Sequence, residues 1–258
     1  MTTMNYIINS PLDQFEIRTF LGFVSPFFDL SALNFTIFSL YTMMVLFVML
    51  GLNLLTDNHG KMVGSRWFVS QEALYDTILN MVKSQMGGVY GGFYFPFIYT
   101  LFIFVLVANL ISMVPYSFAL ASHTVFIVSL SMSMWLGATI MAIYYHKLDF
   151  FGFFVPEGTP LPLVPVLVLI ELLSYAARAI SLGLRTSANI LSGHLTLSIL
   201  SGLTLTLMSV SVITFVLGFL PLAGMLAIVC LEYAISMMQA YVLSVLTAGY
   251  LKDALYLH

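Results

Sequence analysis

Residues 165–200 read PVLVLIELLSYAARAISLGLRTSANILSGHLTLSIL, and the class of fold can be inferred from them. The stretch is largely apolar but holds three charges and one histidine, and no proline follows Pro165 until Pro221. A transmembrane helix needs about 20 apolar residues, so this stretch is longer than a perpendicular span. It predicts a long helix that is tilted in the membrane or bent around a partner.

The rest of the chain has the same character. Of its 258 residues, 60% are hydrophobic and 7% are charged, whereas an ordinary soluble domain carries about 25% charged residues. A water-soluble surface cannot be built from so few charges, and the length allows about five membrane crossings. We therefore predict an all-α integral membrane protein with about five membrane-embedded helices and one amphipathic surface helix.

Element boundaries follow from apolar runs and breakers, and they lie within a single membrane domain, 1–258. We predict a first transmembrane helix over 35–55, an amphipathic surface helix over 70–85, a hairpin over 94–145 and two long helices over 163–258. Ser70 is expected to cap the surface helix, and glycine pairs at 87–88 and 91–92 to break the chain after it. A soluble linker helix is the alternative for 70–85.

Several classes of function have no support in the sequence. It contains no basic patch with interleaved aromatics for nucleic acid and no P-loop for nucleotide, so we expect no catalytic nucleotide site. The five histidines show no ligand spacing, so we expect no metal site and no cofactor. Cys230 is the only cysteine, which excludes an intrachain disulfide.

The distribution of Lys and Arg predicts the orientation in the membrane. With five crossings, the N-terminal tail and the turn at Pro115 share one side and hold only Arg18. The opposite side holds five basic residues, Lys61, Arg66, Lys83, Lys147 and Lys252. Because positive charge is retained on the inner side, we predict an outer N-terminus and an inner C-terminus.

Four charged residues lie inside apolar sequence, namely Glu171, Arg178, Arg185 and Glu232. A charge at the centre of a membrane helix costs about 2.5–3.5 kcal/mol on insertion scales. Such residues face a bundle interior or an aqueous path and mark functional sites. The first three are seven residues apart, so they lie along one helical stripe that drifts about 20° per heptad. Asn189 is close to that face.

His194 comes nine residues after Arg185 and is expected on the opposite side of the helix. Glu232 and Gln239 form a second stripe, again seven residues apart. Glu and His gain and lose protons when burial and neighbours shift them, whereas Arg stays protonated. These residue types therefore indicate a proton relay that a fixed positive charge interrupts.

Structural roles are the alternatives at each position. Arg178 could pair with Glu171 or Glu232 as a staple between helices, and Gln239 could be an interhelical hydrogen-bonding group. His194 could be a packing histidine. For the whole chain, the alternatives are a secondary transporter, although no inverted repeat is visible, or a structural membrane subunit with buried ion pairs.

The segment 181–194, SLGLRTSANILSGH, resembles subunit a (subunit 6) of the rotary ATP synthases. Its Gly-Leu-Arg-x-x-x-Asn-x-x-x-Gly-His string is specific, because polar residues at those offsets are rare in a membrane span. Other stretches are similar to the fungal mitochondrial form, namely 10–17 SPLDQFEI, 64–67 GSRW, 108–117 ANLISMVPYS, 159–165 TPLPLVP and 250–254 YLKDA.

The resemblance implies a role for each site residue. Arg185 matches the essential arginine that faces the ring of c subunits, and Asn189 matches an asparagine one turn on. His194 and Glu232 match an outer half-channel, and Glu171 and Asp253 an inner one. Gln239 matches a glutamine of the last helix, and Arg178 is taken as auxiliary.

The resemblance also implies partners and a location. The expected function is proton translocation through two offset half-channels, which drives the rotation coupled to ATP synthesis. The partners would be the c-ring, the peripheral stalk and other membrane subunits, in the mitochondrial inner membrane with the N-terminus on the intermembrane side. The two long helices would curve along the ring, and residues 1–9 would be a leader that is removed.

Overall fold

We describe the protein from a computed structural model, which covers residues 15–21, 34–56, 65–114, 117–154, 163–210 and 212–256. The predicted leader, Lys61 and Pro115 lie outside these residues. The described part is almost entirely helical, and five of its helices are long and apolar enough to cross a membrane. The prediction of an all-α integral membrane protein with five spans is confirmed.

Seven α-helices follow one another along the described chain. Their bounds are α1 Ile37–Thr56, α2 Arg66–Met86, α3 Gly88–Ser112, α4 Thr124–His146, α5 Val164–Val210, α6 Val212–Leu217 and α7 Phe219–Leu255. Short 3₁₀ helices precede and follow α4, at Leu120–Ser122 and Lys147–Phe154. Two short strands, β1 (Thr19–Leu21) and β2 (Phe35–Thr36), pair antiparallel before α1; the sequence did not indicate them.

The last two long helices are much longer than a bilayer requires. Helix α5 has 47 residues and α7 has 37, which at ~1.5 Å per residue is about 70 Å and about 55 Å. The hydrocarbon core is only about 30 Å thick. Pro221 lies in the first turn of α7, where its missing N–H removes no helical hydrogen bond, so the proline does not interrupt this helix.

Helix α2 begins four residues earlier than the prediction of 70–85. The cap is Ser65, not Ser70, because Ser65 has an extended backbone and its side chain accepts a hydrogen bond from the Phe68 N–H at 3.3 Å. An N-cap needs that non-helical conformation, and Ser70 lies inside the helix. Residues 66–69 therefore belong to α2 as well.

The expected break at the second glycine pair is also wrong. Only Gly87, with φ of 62°, turns the chain between α2 and α3, and Gly91 and Gly92 are helical. A Cβ at Gly91 would lie 3.8 Å from Cγ1 of Val82, so this glycine sits where the start of α3 packs beside the end of α2. The predicted hairpin at 94–145 consequently begins earlier, at Gly88.

Helix α7 is the centre of the packing, because α2, α3, α4 and α5 all contact it. One hydrophobic cluster joins α2 and α3 to α7, with Val82, Val105 and Leu243 almost fully buried. Helix α1 lies outside this bundle and packs mainly on α3 through Val45, its one buried residue. This arrangement leaves long faces of α5 and α7 exposed to a surrounding phase or a partner.

Candidate proton-translocation site

Arg185 lies on the outer surface of α5 and is exposed. It borders a shallow groove of about 480 Å³, lined by Ala177, Ile180, Ser181, Leu184, Arg185 and Ala188. Small residues on a membrane helix let another helix approach closely. The groove therefore offers the guanidinium to whatever packs against this face of α5.

Glu171 and Arg178 are also exposed on α5. Among the residues that the structure describes, neither Arg178 nor Arg185 forms an ion pair, and the one ion pair found joins Arg18 to Glu16 on the surface at 3.2 Å. The alternative of a staple between Arg178 and Glu171 or Glu232 is therefore not seen. Asn189, one turn after Arg185, is half-buried.

Behind Arg185, the two long helices are joined by polar side chains. Thr186 is fully buried, and its hydroxyl oxygen lies 3.1 Å from the Leu182 carbonyl and 3.4 Å from the side-chain oxygen of Gln239. A hydroxyl has one proton to donate. With the Gln239 amide turned so that its NH2 group faces Thr186, both hydrogen bonds form at once.

Glu232 is buried within the bundle, with 6% of its surface exposed. It rests on Gly193 of α5: a Cβ built on this glycine would lie 2.5 Å from the carboxyl carbon of Glu232 and 3.0 Å from its Cγ. Its Oε1 atom is buried and has no hydrogen-bond partner among the described residues. A buried carboxyl with spare hydrogen-bonding capacity is suited to take up and release a proton.

Helix α3 fixes the backbone around Glu232. The Ser236 hydroxyl donates to the Glu232 carbonyl at 2.8 Å, and the fully buried Asn109 donates its amide to the Ser236 carbonyl at 3.2 Å. The Oδ1 atom of Asn109 is also buried without a described partner. Asn109 was not predicted as a site residue, although an amide inside an apolar span was a signal that could have found it.

His194 follows Gly193 and is half-buried. Its ring meets the edge of Phe15 at a centroid distance of 6.2 Å and faces the Ser112 main chain at the end of α3. Its Nε2 atom is buried without a described partner. Three such atoms, on Asn109, His194 and Glu232, thus lie where the end of α3 meets α5 and α7.

A second polar cluster lies toward the other end of these helices. Tyr175 and Tyr250 pack edge to face at 5.9 Å, and Arg178 and Asp253 are close enough to interact electrostatically with both. The Tyr250 hydroxyl is buried and has no described partner, and Asp253 is half-buried. Glu171 lies one helical turn before Tyr175. The tyrosines were not among the predicted site residues.

The two clusters are well separated along the helices. From Arg178 to His194 is 16 positions of α5, or about 24 Å, and from Glu232 to Tyr250 is 18 positions of α7, or about 27 Å. Arg185 and the Thr186–Gln239 contact lie between them. Within the described residues, no three His, Cys, Asp or Glu side chains gather as metal ligands would.

Comparison with known proteins agrees with this arrangement. The family model described as ATP synthase A chain matches residues 36–252. The chain belongs to the ATP synthase A chain family. This confirms the resemblance that the motif around Arg185 indicated.

Relatives within the family match over almost their whole length. The chain is 68% identical to ATP synthase subunit a of Kluyveromyces lactis, covering 99% of this chain and 100% of the relative. It is 65% identical to the subunit of Wickerhamomyces canadensis, covering 98% and 99%, and 61% identical to that of Saccharomyces cerevisiae, covering 99% and 98%. As a member of the ATP synthase A chain family, the chain is a component of the membrane sector.

Proposed function

We propose that this chain forms two offset aqueous half-channels, which load protons onto the carboxylates of a c-subunit ring and unload them again. The flow of protons drives rotation of the ring, and the rotation is coupled to ATP synthesis on partner subunits. The observation that carries the proposal is the placement of Arg185 between two separate polar clusters. Family membership supports the same function.

The outer half-channel contains His194 and Glu232. A proton that enters from this side passes between the imidazole and the carboxyl group, and then neutralises a carboxylate on the ring. Both groups have buried atoms with spare hydrogen-bonding capacity, which a relay through water needs. Asn189 lies between this entrance and the level of Arg185, whereas Gln239 lies at that level beside Thr186. We assign both side chains to the proton path.

The inner half-channel contains Glu171 and Asp253. A neutral ring carboxyl travels through lipid at little cost, because its charge is gone. When it reaches the inner path, it releases its proton there. Arg178, which interacts with the tyrosine pair beside Asp253, has an auxiliary role as a fixed positive charge in this region. Each proton that crosses releases about 2.3 kcal/mol per 100 mV of membrane potential.

Arg185 is the barrier between the half-channels. Its guanidinium cannot lose its proton, so it repels a proton that would pass directly from one path to the other. It also stabilises the ionised ring carboxylate as that group crosses between them. The exposed groove at Arg185, with its small side chains, supports a c-subunit helix as the occupant of this face.

The proposed setting is the mitochondrial inner membrane, together with the peripheral stalk and other membrane subunits. The relatives named above are yeast proteins, and the Lys and Arg distribution supports an N-terminus on the intermembrane side through the positive-inside rule. The excess length of α5 and α7 supports tilted helices that follow the ring.

The test is Arg185→Ala in the intact ATP synthase, reconstituted into vesicles. ATP synthesis driven by a proton gradient is expected to fall to background. Leu205→Ala, which truncates an exposed residue of the same helix outside this groove, is the control and should retain most of the activity. Normal synthesis by the Arg185→Ala enzyme would refute the barrier role and favour a purely structural subunit.

A further inference from the structure

We infer that Gly193 is a positioning residue for the carboxyl group of Glu232, and that the missing side chain at position 193 sets where this carboxyl group meets its proton. The inference rests on the proposed role of Glu232 in the outer path. In the sequence, Gly193 is the glycine that precedes the histidine of the Gly-Leu-Arg-x-x-x-Asn-x-x-x-Gly-His string. The structure gives it a more specific neighbour.

The space left by Gly193 is filled by the end of the Glu232 side chain. A methyl group there would lie 2.5 Å from the carboxyl carbon and 3.0 Å from Cγ, with the greatest overlap at Oε1. Carbon atoms in contact prefer separations of about 3.5–4.0 Å. An alanine at position 193 therefore cannot be accommodated while the Glu232 carboxyl group keeps its present position.

The three nearest atoms all belong to the flexible end of the Glu232 side chain. An alanine at position 193 can therefore be accommodated when the carboxyl group swings away, and the α5–α7 contact need not separate. Alanine is also a better helix former than glycine. The expected damage is thus to the location of the carboxyl group.

The other side of Glu232 is held in place. Its carbonyl accepts from the Ser236 hydroxyl, and Asn109 of α3 holds the Ser236 carbonyl. The backbone of this turn of α7 is therefore fixed by α3, while the carboxyl end is placed by the glycine of α5. His194 is the titratable neighbour on α5, and the groups that α3 presents here, Asn109 and Ser112, are uncharged.

The experiment compares two glycines of the same helix in the intact, reconstituted ATP synthase. Gly193→Ala is expected to lower gradient-driven ATP synthesis about tenfold, because a displacement near 1 Å at a reacting group costs that much or more. Gly202→Ala, where a Cβ meets no atom within 4 Å, gains the same helix propensity and should keep full activity. The amount of subunit in the assembled complex should be equal in both.

Two further readouts separate positioning from a general structural role. The pH at which synthesis is half-maximal on the outer side should move by about half a unit or more in Gly193→Ala, and should stay fixed in Gly202→Ala. Adding Glu232→Asp to Gly193→Ala shortens the acid by one methylene and withdraws it from the overlap. The double variant should recover about threefold activity over Gly193→Ala, as coupled neighbours do.

Equal activity and an equal pH profile in Gly193→Ala and Gly202→Ala would overturn the inference. If Gly193→Ala fails to assemble, the double variant decides: recovery of the complex supports the contact with Glu232, and failure to recover rejects it. Glu232→Gln distinguishes this result from the proposed function. Full proton flux in Glu232→Gln would contradict the function itself, whereas lost flux there with a normal Gly193→Ala enzyme contradicts the positioning alone.

Discussion

The Thr186 hydroxyl oxygen lies 3.4 Å from the side-chain oxygen of Gln239, which joins the two long helices one residue from Arg185. Both side chains are buried, so water does not compete for this contact. This polar contact between the helices thus lies directly behind the exposed guanidinium of Arg185. The contact holds α5 and α7 in register at the level where the proposed half-channels must stay apart.

Removing the Thr186–Gln239 hydrogen bond should lower the stability of the complex by a modest and measurable amount. Interhelical hydrogen bonds in membranes are worth about 0.6 kcal/mol on average, so Thr186→Val and Gln239→Leu should each lower the thermal dissociation midpoint of the complex slightly. The double variant should lower it by less than the two changes added together. Strictly additive effects would show that the two groups do not interact.

Helices α4 and α5 cross closely at Gly183. A Cβ at this position would lie 2.7 Å from the Ser131 hydroxyl oxygen and 2.9 Å from the Val128 Cα. Because a backbone atom is involved, Gly183→Ala must push the helices apart, at a cost of about 1–3 kcal/mol. We expect a lower yield of assembled complex and a lower dissociation temperature.

The control for this variant is Gly137→Ala on α4, where a Cβ meets no atom within 4 Å. It should leave assembly unchanged. Adding Ser131→Ala to Gly183→Ala should restore stability only in part, because the Val128 contact remains. Full stability of Gly183→Ala alone would contradict the close crossing.

His123 predicts an acid-sensitive contribution to stability. It lies between the spans before α4, stacked on Phe118 at 5.0 Å and edge-on to Phe38 at 5.8 Å. Burial lowers the pKa of His123 below its ordinary value, so the unfolded chain binds a proton more readily than the folded one. The contribution of the neutral His123 side chain to stability is therefore fully present above the ordinary pKa of about 6.5, and it is lost as the pH drops below that value.

The measurement is the dissociation temperature of the complex at pH 7.5 and pH 5.5. His123→Phe keeps an aromatic ring in this environment and cannot be protonated, so the loss of stability at the lower pH should become smaller. His146→Phe is the control, since His146 lies at the far end of α4. An unchanged acid effect in His123→Phe would exclude this residue as its source.

The spans could be predicted from sequence because lipid demands them. A chain with so few charges must present apolar helices of sufficient length, and charges inside them are costly enough to stand out as Arg185 and Glu232 do. The local signals were less decisive. Ser65 and Ser70 both suit an N-cap by residue type, and only the backbone conformation selects Ser65.

Contacts between helices are a different problem, because they depend on how two surfaces align in three dimensions. Spacing along one helix placed Glu171, Arg178 and Arg185 on a common stripe, and all three are exposed. No spacing rule joins Gly193 to Glu232, or Asn109 to Ser236, since the partners come from separate helices. The tyrosine pair beside Asp253 could not be predicted, because tyrosine is common in apolar spans and the sequence does not show whether its hydroxyl group is buried.

The proposed arrangement has two separate aqueous paths, which end on either side of Arg185. It can be tested with single cysteines in a Cys230→Ser background, using Ser236→Cys beside Glu232, Ser174→Cys between Glu171 and Arg178, and Thr186→Cys at the midpoint. The silver ion is a thiol-reactive cation small enough to follow a hydrated path. It is added to one side of sealed, oriented vesicles, and the remaining free thiols are counted afterwards in detergent.

We expect Ser236→Cys to react only from the outer side and Ser174→Cys only from the inner side, while Thr186→Cys should react from neither. Reaction of the Ser236→Cys or the Ser174→Cys thiol equally from both sides would mean one continuous pore past Arg185, and would refute two separate paths.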